Sequence, residues 1–162
     1  IMVKDAIGRE WQLTTVQLDF TQPENFEMKY TGEDGEDHRP AVLHVAVFGS
    51  FERFMGILIE HYAGAFPAWL APVQAKVIPV GKDFMAYGEE VMAELEAAGV
   101  RVEIDESADS LGKKIRNAEL EKVPYMLVVG EKEVKDKNLA VRDYATKNQE
   151  TMEREDFLKL VV

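Results

Sequence analysis

A proline-containing segment at residues 63–72, "AGAFPAWLAP", separates two parts of the sequence that follow different hydrophobic periods. Before it, short runs alternate apolar and polar residues, as β-strands joined in hairpins do. After it, strand-like runs alternate with segments of helical period, which is typical of a parallel or mixed sheet with helices on its faces. Because proline cannot continue a helix, Pro67 and Pro72 favour a linker. We therefore predict an α/β chain with two domains, residues 1–70 and 71–162.

Composition limits the classes of protein to which the chain can belong. Its hydrophobic fraction of 46% suits a globular chain, and no apolar run reaches the roughly 18 residues of a membrane helix. With no cysteine, the chain has neither a disulfide nor a thiolate metal site, which favours a reducing compartment. The formal net charge of −11 predicts no general attraction to nucleic acid, because such affinity comes from Lys and Arg. Any RNA contact must therefore be local.

The first half predicts antiparallel strands. The runs "IMVKDAIG" and "REWQLTTVQLDF" suit a hairpin, and "FEMKYTGEDGEDHRPAVLHVAVF" gives two more strands around an acidic turn. That turn fits no calcium-loop spacing, so we predict that it is solvated. Apolar neighbours predict that Gln12 and Gln17 are buried and hydrogen-bonded to adjacent loops. Since Ile1 already lies in a strand-like run, we expect the sequence to be a fragment of a longer protein.

One helix is expected in this half, in "GSFERFMGILIEHY", where Ser50 can cap the first turn. Phe51, Phe54, Leu58 and Tyr62 recur at helical spacing, and we predict that they pack in the core. So few strands would leave unpaired edges and an uncovered apolar face. We therefore expect this half to pair with a second copy or with other segments of a parent protein.

Two polar side chains in this half could carry chemistry. Arg53 lies one turn into the helix, where its guanidinium can face a phosphate, stack on a base or form a surface ion pair. His44 interrupts the apolar strand "VLHVAVF", either as a hydrogen-bonded core histidine or as a metal ligand. We expect the two side chains to open onto one hollow. No motif of a complete active site, such as GxGxxG, GxSxG or HExxH, is present.

The second half predicts alternating strands and helices. An apolar stripe of Tyr87, Val91, Leu95 and Ala98 indicates a helix that Gly99 ends. Lys113 and Arg116 lie on one face of a second helix and, with Lys114, are predicted to form the best basic patch of the chain. We predict strands at "AKVIPV", "VRVEID", "VPYMLVV" and "LAVRDY", helices over 83–98, over 110–121 and from "REDFLKLVV", and a turn at "GEKEV".

Several of these segments together carry a family resemblance. The stretches "VKDAIGREWQLTTVQLDF", "GSFERFMGILIEHYAGAFPAWLAPVQ", "LGKKIRNAELEKVPYMLVVGEKE" and "AVRDY" resemble the C-terminal third of a threonyl-tRNA synthetase, in unbroken order. The resemblance implies that residues 48–63 are motif 3 of a class II catalytic domain. It also implies the fold: part of the antiparallel class II catalytic sheet, then a mixed-sheet anticodon-binding domain with helices on its faces.

The resemblance assigns roles to side chains of the first half. Arg53 would hold ATP by packing on adenine and meeting the phosphates, with Ser50 and Gln12 helping to hold the nucleotide. Gln17 would lie near threonine and the adenylate, with Thr15 beside it.

The resemblance also implies cofactors and partners. His44 would be the last of three ligands to a catalytic Zn²⁺, and Mg²⁺ would accompany ATP in the full-length enzyme. That enzyme would be a cytoplasmic homodimer that activates threonine with ATP and transfers it to tRNA(Thr). Motifs 1 and 2 and the other two zinc ligands are not in this sequence. We therefore expect no threonine-dependent pyrophosphate exchange from this chain alone.

In the second half, the resemblance implies a surface that reads the anticodon of tRNA. Glu133 and Arg142 match positions that approach anticodon bases, beside the basic residues Lys113 and Arg116. Side-chain hydrogen bonds to unstacked bases are how proteins read single-stranded RNA loops. A solvated helix surface remains the alternative reading of the two basic residues.

The sequence departs from the family pattern at four positions. Ser107 and Ala108 stand where an Arg-Asn pair is common, Val45 where an arginine follows the zinc-binding histidine, and Thr14 where a glycine is common. These changes affect anticodon reading and local packing. Two other functions stay open: a non-enzymatic RNA-binding module built on the anticodon-binding domain, and a generic α/β ligand-binding domain over residues 73–162.

Overall fold

The computed structural model describes residues 1–162, which form two compact units, Ile1–Tyr62 and Ala63–Val162. Unit 1 contains six short strands and two helices, and unit 2 contains five strands and four helices. No helix is long and apolar enough to cross a membrane.

Unit 1 is built from three separate two-stranded antiparallel sheets, β1–β2, β3–β6 and β4–β5. The predicted first hairpin is confirmed, but "REWQLTTVQLDF" is not one strand. It breaks after Gln12, and its second part pairs with the later strand that carries His44. The elements are β1 (Met2–Lys4), β2 (Glu10–Gln12), β3 (Thr15–Asp19), α1 (Thr21–Asn25), β4 (Tyr30–Thr31), β5 (Asp37–His38), β6 (Val42–Ala46) and α2 (Phe51–His61).

The β3–β6 sheet has one uncovered apolar face. Side chains alternate across a strand, so the β3–β6 register places Val16, Leu18, Leu43 and Val45 on one face. These four are between 56% and 63% exposed. The expected uncovered apolar face is thus confirmed for the chain as it stands.

Helix α2 begins as predicted, because the Ser50 side chain accepts a hydrogen bond from the Arg53 backbone N–H at 3.3 Å. Its predicted core packing is wrong. Phe51 is 75% exposed, and no residue of α2 is buried. Gln12 and Gln17 are also exposed, contrary to the predicted burial, because each lies on a sheet of only two strands.

Unit 2 is a mixed five-stranded sheet in the order β11-β10-β9-β7-β8. Strand β7 runs parallel to β8 and β9, whereas β10 runs antiparallel to β9 and β11. The predicted mixed α/β sheet is confirmed. The elements are β7 (Ala75–Pro79), a 3₁₀ turn (Lys82–Phe84), α3 (Met85–Ala97), β8 (Val102–Ile104), α4 (Leu111–Leu120), β9 (Tyr125–Val129), α5 (Glu131–Asp136), β10 (Asn138–Asp143), β11 (Gln149–Glu153) and α6 (Arg154–Val161).

Helices cover both faces of this sheet. Residues of α3 and α6, among them Val91, Leu95 and Phe157, pack in the larger core cluster, and Ala118 of α4 packs in a smaller one. The predicted stripe on α3 is confirmed except at Ala98, which is exposed. Gly99 ends that helix with φ of 86°, a conformation that favours glycine.

Three polar elements of the chain escaped sequence prediction. "GEKEV" lies in the short helix α5 and not in a turn. Strand β11, "QETME", was missed because four of its five residues are exposed and no apolar alternation marks it. Helix α1 is too short to show a period.

Candidate functional site

Arg53 lies in a cavity of unit 1 beside an indole ring. Its guanidinium carbon lies 5.6 Å from the centroid of the Trp11 ring, and its Nη1 donates to the Gln12 carbonyl at 3.3 Å. The Arg9 guanidinium lies at the same distance from Trp11. The cavity has a volume of about 310 Å³ and is lined by Arg9, Trp11, Glu52, Arg53, Gly56, Ile57 and Glu60.

A buried carboxylate, Asp5, fixes this arrangement. Asp5 accepts hydrogen bonds from Trp11 Nε1 at 2.9 Å and from Arg9 Nε at 2.5 Å, and also from the backbone N–H groups of Ile7 and Arg9. Burial by itself raises the pKa of Asp5, but these hydrogen bonds outweigh it and hold the pKa far below its ordinary value. The hydrogen bond to Asp5 likewise raises the pKa of Arg9, which also pairs with Glu60 at 3.0 Å.

The chemistry of this cavity suits a flat or anionic ligand. A guanidinium can stack on an aromatic ring and can donate to phosphate oxygens, and two of them converge on Trp11. Glu52 and Glu60 also line the cavity, so its charge is mixed. Sequence reasoning named Arg53 but missed Asp5 and Trp11. The only signal was that Asp5 lies four residues before Arg9 in a predicted glycine turn.

His44 lies on the β3–β6 sheet and does not line the cavity of Arg53. The prediction that both open onto one hollow is therefore wrong for this cavity. His44 stands directly opposite Gln17, and Thr15 shares their face of the sheet. The side chain of Ser50 accepts the capping hydrogen bond of α2.

His44 has a single side-chain partner, Asp19. The His44 Nε2 and Asp19 Oδ2 atoms lie 3.0 Å apart, which fixes the orientation of the imidazole. The pKa of Asp19 is lowered, chiefly by the backbone N–H of Gln22, with His44 contributing. No group of three or more metal-ligating side chains exists in the chain. Zinc takes about four ligands, so the residues present do not fit a zinc ion.

The predicted basic patch on α4 is wrong as a single exposed patch. Lys114 is only 3% exposed and donates to the Pro79 and Asp105 carbonyls at 3.2 and 3.1 Å. Lys113, one residue earlier, is exposed and pairs with Asp109 at 2.9 Å. Successive helical residues point about 100° apart, so Lys114 faces the sheet while Lys113 and Arg116 face outward.

The other predicted tRNA-reading residues lie on separate elements of unit 2. Arg142, on β10, donates from Nη2 to Glu119 Oε1 at 3.0 Å, while its buried Nε has no partner. Glu133 accepts the Gly130 backbone N–H at 3.0 Å, closing the first turn of α5. Ser107, at one of the departures from the family pattern, donates to Asp105 at 2.6 Å.

The fold and these sites define the class of the protein. Residues 74–162, more than half of the chain, match the family model described as anticodon binding domain, and the chain belongs to that family. Residues 1–62 match the model described as tRNA synthetase class II core domain (G, H, P, S and T). The two matches divide the chain close to the boundary between its compact units.

Comparison with individual relatives narrows the class of protein that the chain resembles. The chain is 53% identical over 161 residues to the threonine--tRNA ligase of Anaeromyxobacter dehalogenans, covering 99% of this chain and 25% of that protein. It is 57% identical over 140 residues to that of Clostridioides difficile, covering 86% and 22% respectively. A crystal structure of the RNA binding domain of threonyl-tRNA synthetase from Cryptosporidium parvum Iowa II superposes with a TM-score of 0.88 at 36% identity, covering 99% of this chain and 41% of that one. The chain thus spans about a quarter of the length of the curated relatives it matches.

Proposed function

We propose that the chain is the C-terminal part of a threonine--tRNA ligase, in which unit 1 completes an ATP site and unit 2 reads the anticodon. The main observation behind this proposal is the match to a relative named threonine--tRNA ligase. That match includes both units, at 53% identity over 99% of the chain. The parent enzyme activates threonine with ATP to an adenylate and passes the threonyl group to tRNA(Thr). We propose that it works as a cytoplasmic homodimer.

In unit 1, Arg53 is the proposed ATP contact. Its guanidinium lines the open cavity beside the indole of Trp11, where a planar cation can face both adenine and phosphate oxygens. Gln12 and Ser50 support this nucleotide contact, and Gln17 and Thr15 lie toward threonine. Positioning and charge neutralisation supply most of the catalysis in phosphoryl chemistry of this kind.

In the parent enzyme Mg²⁺ would accompany ATP and would neutralise part of the phosphate charge. A zinc role for His44 requires ligands from outside these 162 residues, since the chain groups no metal-binding set. No step of the proposed mechanism is drawn through zinc.

In unit 2, the proposed tRNA contacts are Arg142, Glu133, Arg116 and Lys113. Three of these side chains are cationic donors and Glu133 is an anionic acceptor. Such groups can form hydrogen bonds with unstacked bases. The net charge of −11 makes broad phosphate binding weak, so base contacts must supply much of the selectivity.

Binding of tRNA transcripts to the 162-residue chain tests this proposal. We expect tRNA(Thr) to bind about tenfold tighter than the same transcript with one anticodon base replaced, as a lost base contact of 1–3 kcal/mol predicts. Arg142→Ala should remove most of that preference, with the remainder supplied by the other proposed contacts. Lys82→Ala is a matched control, because it removes the same charge from an exposed position without a side-chain partner. Equal binding of all transcripts by the unmodified chain would overturn the anticodon-reading role.

A further inference from the structure

We infer that Glu119 is a positioning residue that holds Arg142 in one orientation and so makes it a reader of bases instead of a general phosphate binder. This inference rests on the proposed function, in which Arg142 contacts the anticodon.

The contacts of Glu119 join α4 to β10 and to the turn that follows β10. Its Oε1 accepts from Arg142 Nη2 at 3.0 Å and lies 3.8 Å from Lys147 Nζ. Lys147 Nζ in turn lies 3.8 Å from the ring centroid of Tyr144. The side chains of Glu119 and Arg142 are 30% and 27% exposed, so the pair is partly shielded from solvent and its donors can still be reached.

Both partners stand on rigid supports. Glu119 follows the fully buried Ala118 on α4, a helix that Lys114 ties to the strand ends. Arg142 lies on β10, which is hydrogen-bonded on both sides, opposite Met126 of β9 and Gln149 of β11. The carboxylate therefore holds the Nη2 end of the guanidinium in place relative to the sheet.

This geometry leaves a defined donor for a ligand. Of the guanidinium nitrogens of Arg142, Nη2 is used by Glu119, Nε is buried, and Nη1 makes no hydrogen bond. Because the guanidinium is planar, holding Nη2 at Glu119 while the side chain starts from a paired strand restricts the direction in which Nη1 can donate. Such a donor distinguishes a base acceptor at one place from a phosphate at another.

The negative charge of Glu119 also favours base reading over general phosphate binding. Its hydrogen bond with Arg142, more than any other contact, lowers its pKa, and Lys147 adds to this effect. The carboxylate therefore stays ionised near neutral pH and offsets two nearby cations. Without it, Arg142 and Lys147 would attract any phosphate, which raises affinity without adding sequence information.

The experiment measures tRNA affinity and its salt dependence for Glu119→Ala and Glu119→Gln in the whole chain. The probes are tRNA(Thr) transcripts with the threonine anticodon or with one replaced anticodon base. We expect the ratio of their affinities to fall about fivefold or more in Glu119→Ala, while binding of the replaced transcript strengthens. We also expect the slope of log affinity against log salt to steepen by about one unit between about 50 and 200 mM salt.

Glu119→Gln keeps the size and an acceptor oxygen but removes the charge. It should steepen the salt slope while keeping more of the discrimination than Glu119→Ala. Glu96→Gln is the matched control, since it removes one negative charge from an exposed position of α3 without a side-chain partner. Glu96→Gln should change neither the ratio of the two tRNA affinities nor the salt slope.

A double variant separates positioning from a direct contact. If Glu119 acts through Arg142, the pair Glu119→Ala with Arg142→Ala should discriminate no worse than Arg142→Ala alone. Unchanged discrimination in both Glu119 variants, or a further loss in the double variant, would overturn the inference. A chain that shows no anticodon preference before any substitution would overturn the proposed function, and this inference with it.

Discussion

Asp5 shows how one side chain can organise a site that neither composition nor spacing reveals. Four hydrogen bonds from Trp11, Arg9 and Ile7 converge on its buried carboxylate. Its pKa in the folded chain lies far below the ordinary value of 3.8. A lowered pKa means that folding favours the ionised form. The stabilisation is therefore complete above about pH 4 and is lost as the pH falls through and below that value.

We predict that Asp5→Asn destabilises unit 1 near neutral pH and that the difference from the unmodified chain shrinks toward about pH 3. The amide keeps the shape of the side chain but loses the charge that the guanidinium of Arg9 meets. Thermal unfolding should be followed by Trp11 fluorescence in a Trp69→Phe background, which leaves one tryptophan. Asp83→Asn, at an exposed position, serves as the control. A difference that stays constant across this pH range would contradict the assigned role.

The role of a single residue could be predicted from the sequence where its close neighbours in the chain determine it. It could not be predicted where a partner distant in the sequence determines it. Ser50 could be recognised as a cap because capping involves only the next three residues. Lys113 and Lys114 are chemically identical neighbours, and their opposite environments depend on which side of α4 meets the sheet. The Glu119–Arg142 contact joins residues on different elements, so no local pattern announces it.

At the scale of elements, the fit between α3 and the sheet depends on Gly88. A Cβ atom built at this position would lie 2.9 Å from Ile104 Cδ1 and 3.1 Å from Pro79 Cγ. Gly112 on α4 has nothing within 4 Å of the same construction. Both glycines are in helices, where alanine is intrinsically favoured by about 1 kcal/mol. The two positions therefore differ in the space available to a methyl group.

We predict opposite effects of alanine at these two glycines. Gly88→Ala should lower the free energy of unfolding by about 1–2 kcal/mol, because overpacking outweighs the gain in helix propensity. Gly112→Ala should raise it by roughly 0.5–1 kcal/mol. Denaturant unfolding of unit 2, followed by the fluorescence of Trp69 in a Trp11→Phe background, measures both. A stabilising Gly88→Ala would show that α3 can shift away from the sheet at little cost.

Elements with a one-sided apolar pattern could be predicted from the sequence, and polar ones could not. Strand β9 is a continuous apolar run, β7 is apolar and buried except at Lys76, and α3 carries a clear stripe. Strand β11 is polar because it is the edge of the sheet, and α5 is held by the Glu133 cap and not by an apolar face. The edge position of β11 is set by tertiary contacts that a local pattern does not record, and α5 is too short and too polar to show an apolar period.

At the scale of the whole molecule, the two units differ in how completely they bury their apolar residues. Nearly all buried apolar side chains belong to unit 2, including Phe157, Ile78 and Leu127. Unit 1 buries only Leu13 and Pro23 among its apolar side chains. The exposed face of Val16, Leu18, Leu43 and Val45 is therefore a surface for association.

We predict that the 162-residue chain self-associates through this face in solution. Val45→Arg places a charge at the centre of the face and should weaken association by about tenfold, or roughly 1.4 kcal/mol. Thr31→Arg adds the same charge at an exposed polar position on β4 and should leave association unchanged. Sedimentation velocity over a range of concentrations gives the dissociation constants.

Binding of a hydrophobic dye is an independent measure of how much of this apolar face is exposed to water. Dye fluorescence should fall when the chain associates, because association removes the apolar face from water, and it should be weaker in monomeric Val45→Arg than in monomeric Thr31→Arg. A chain that remains monomeric at all concentrations while unit 1 stays folded would contradict the prediction. It would mean that two-stranded sheets with one open apolar face can persist here without a partner, against the rule that such edges and faces associate.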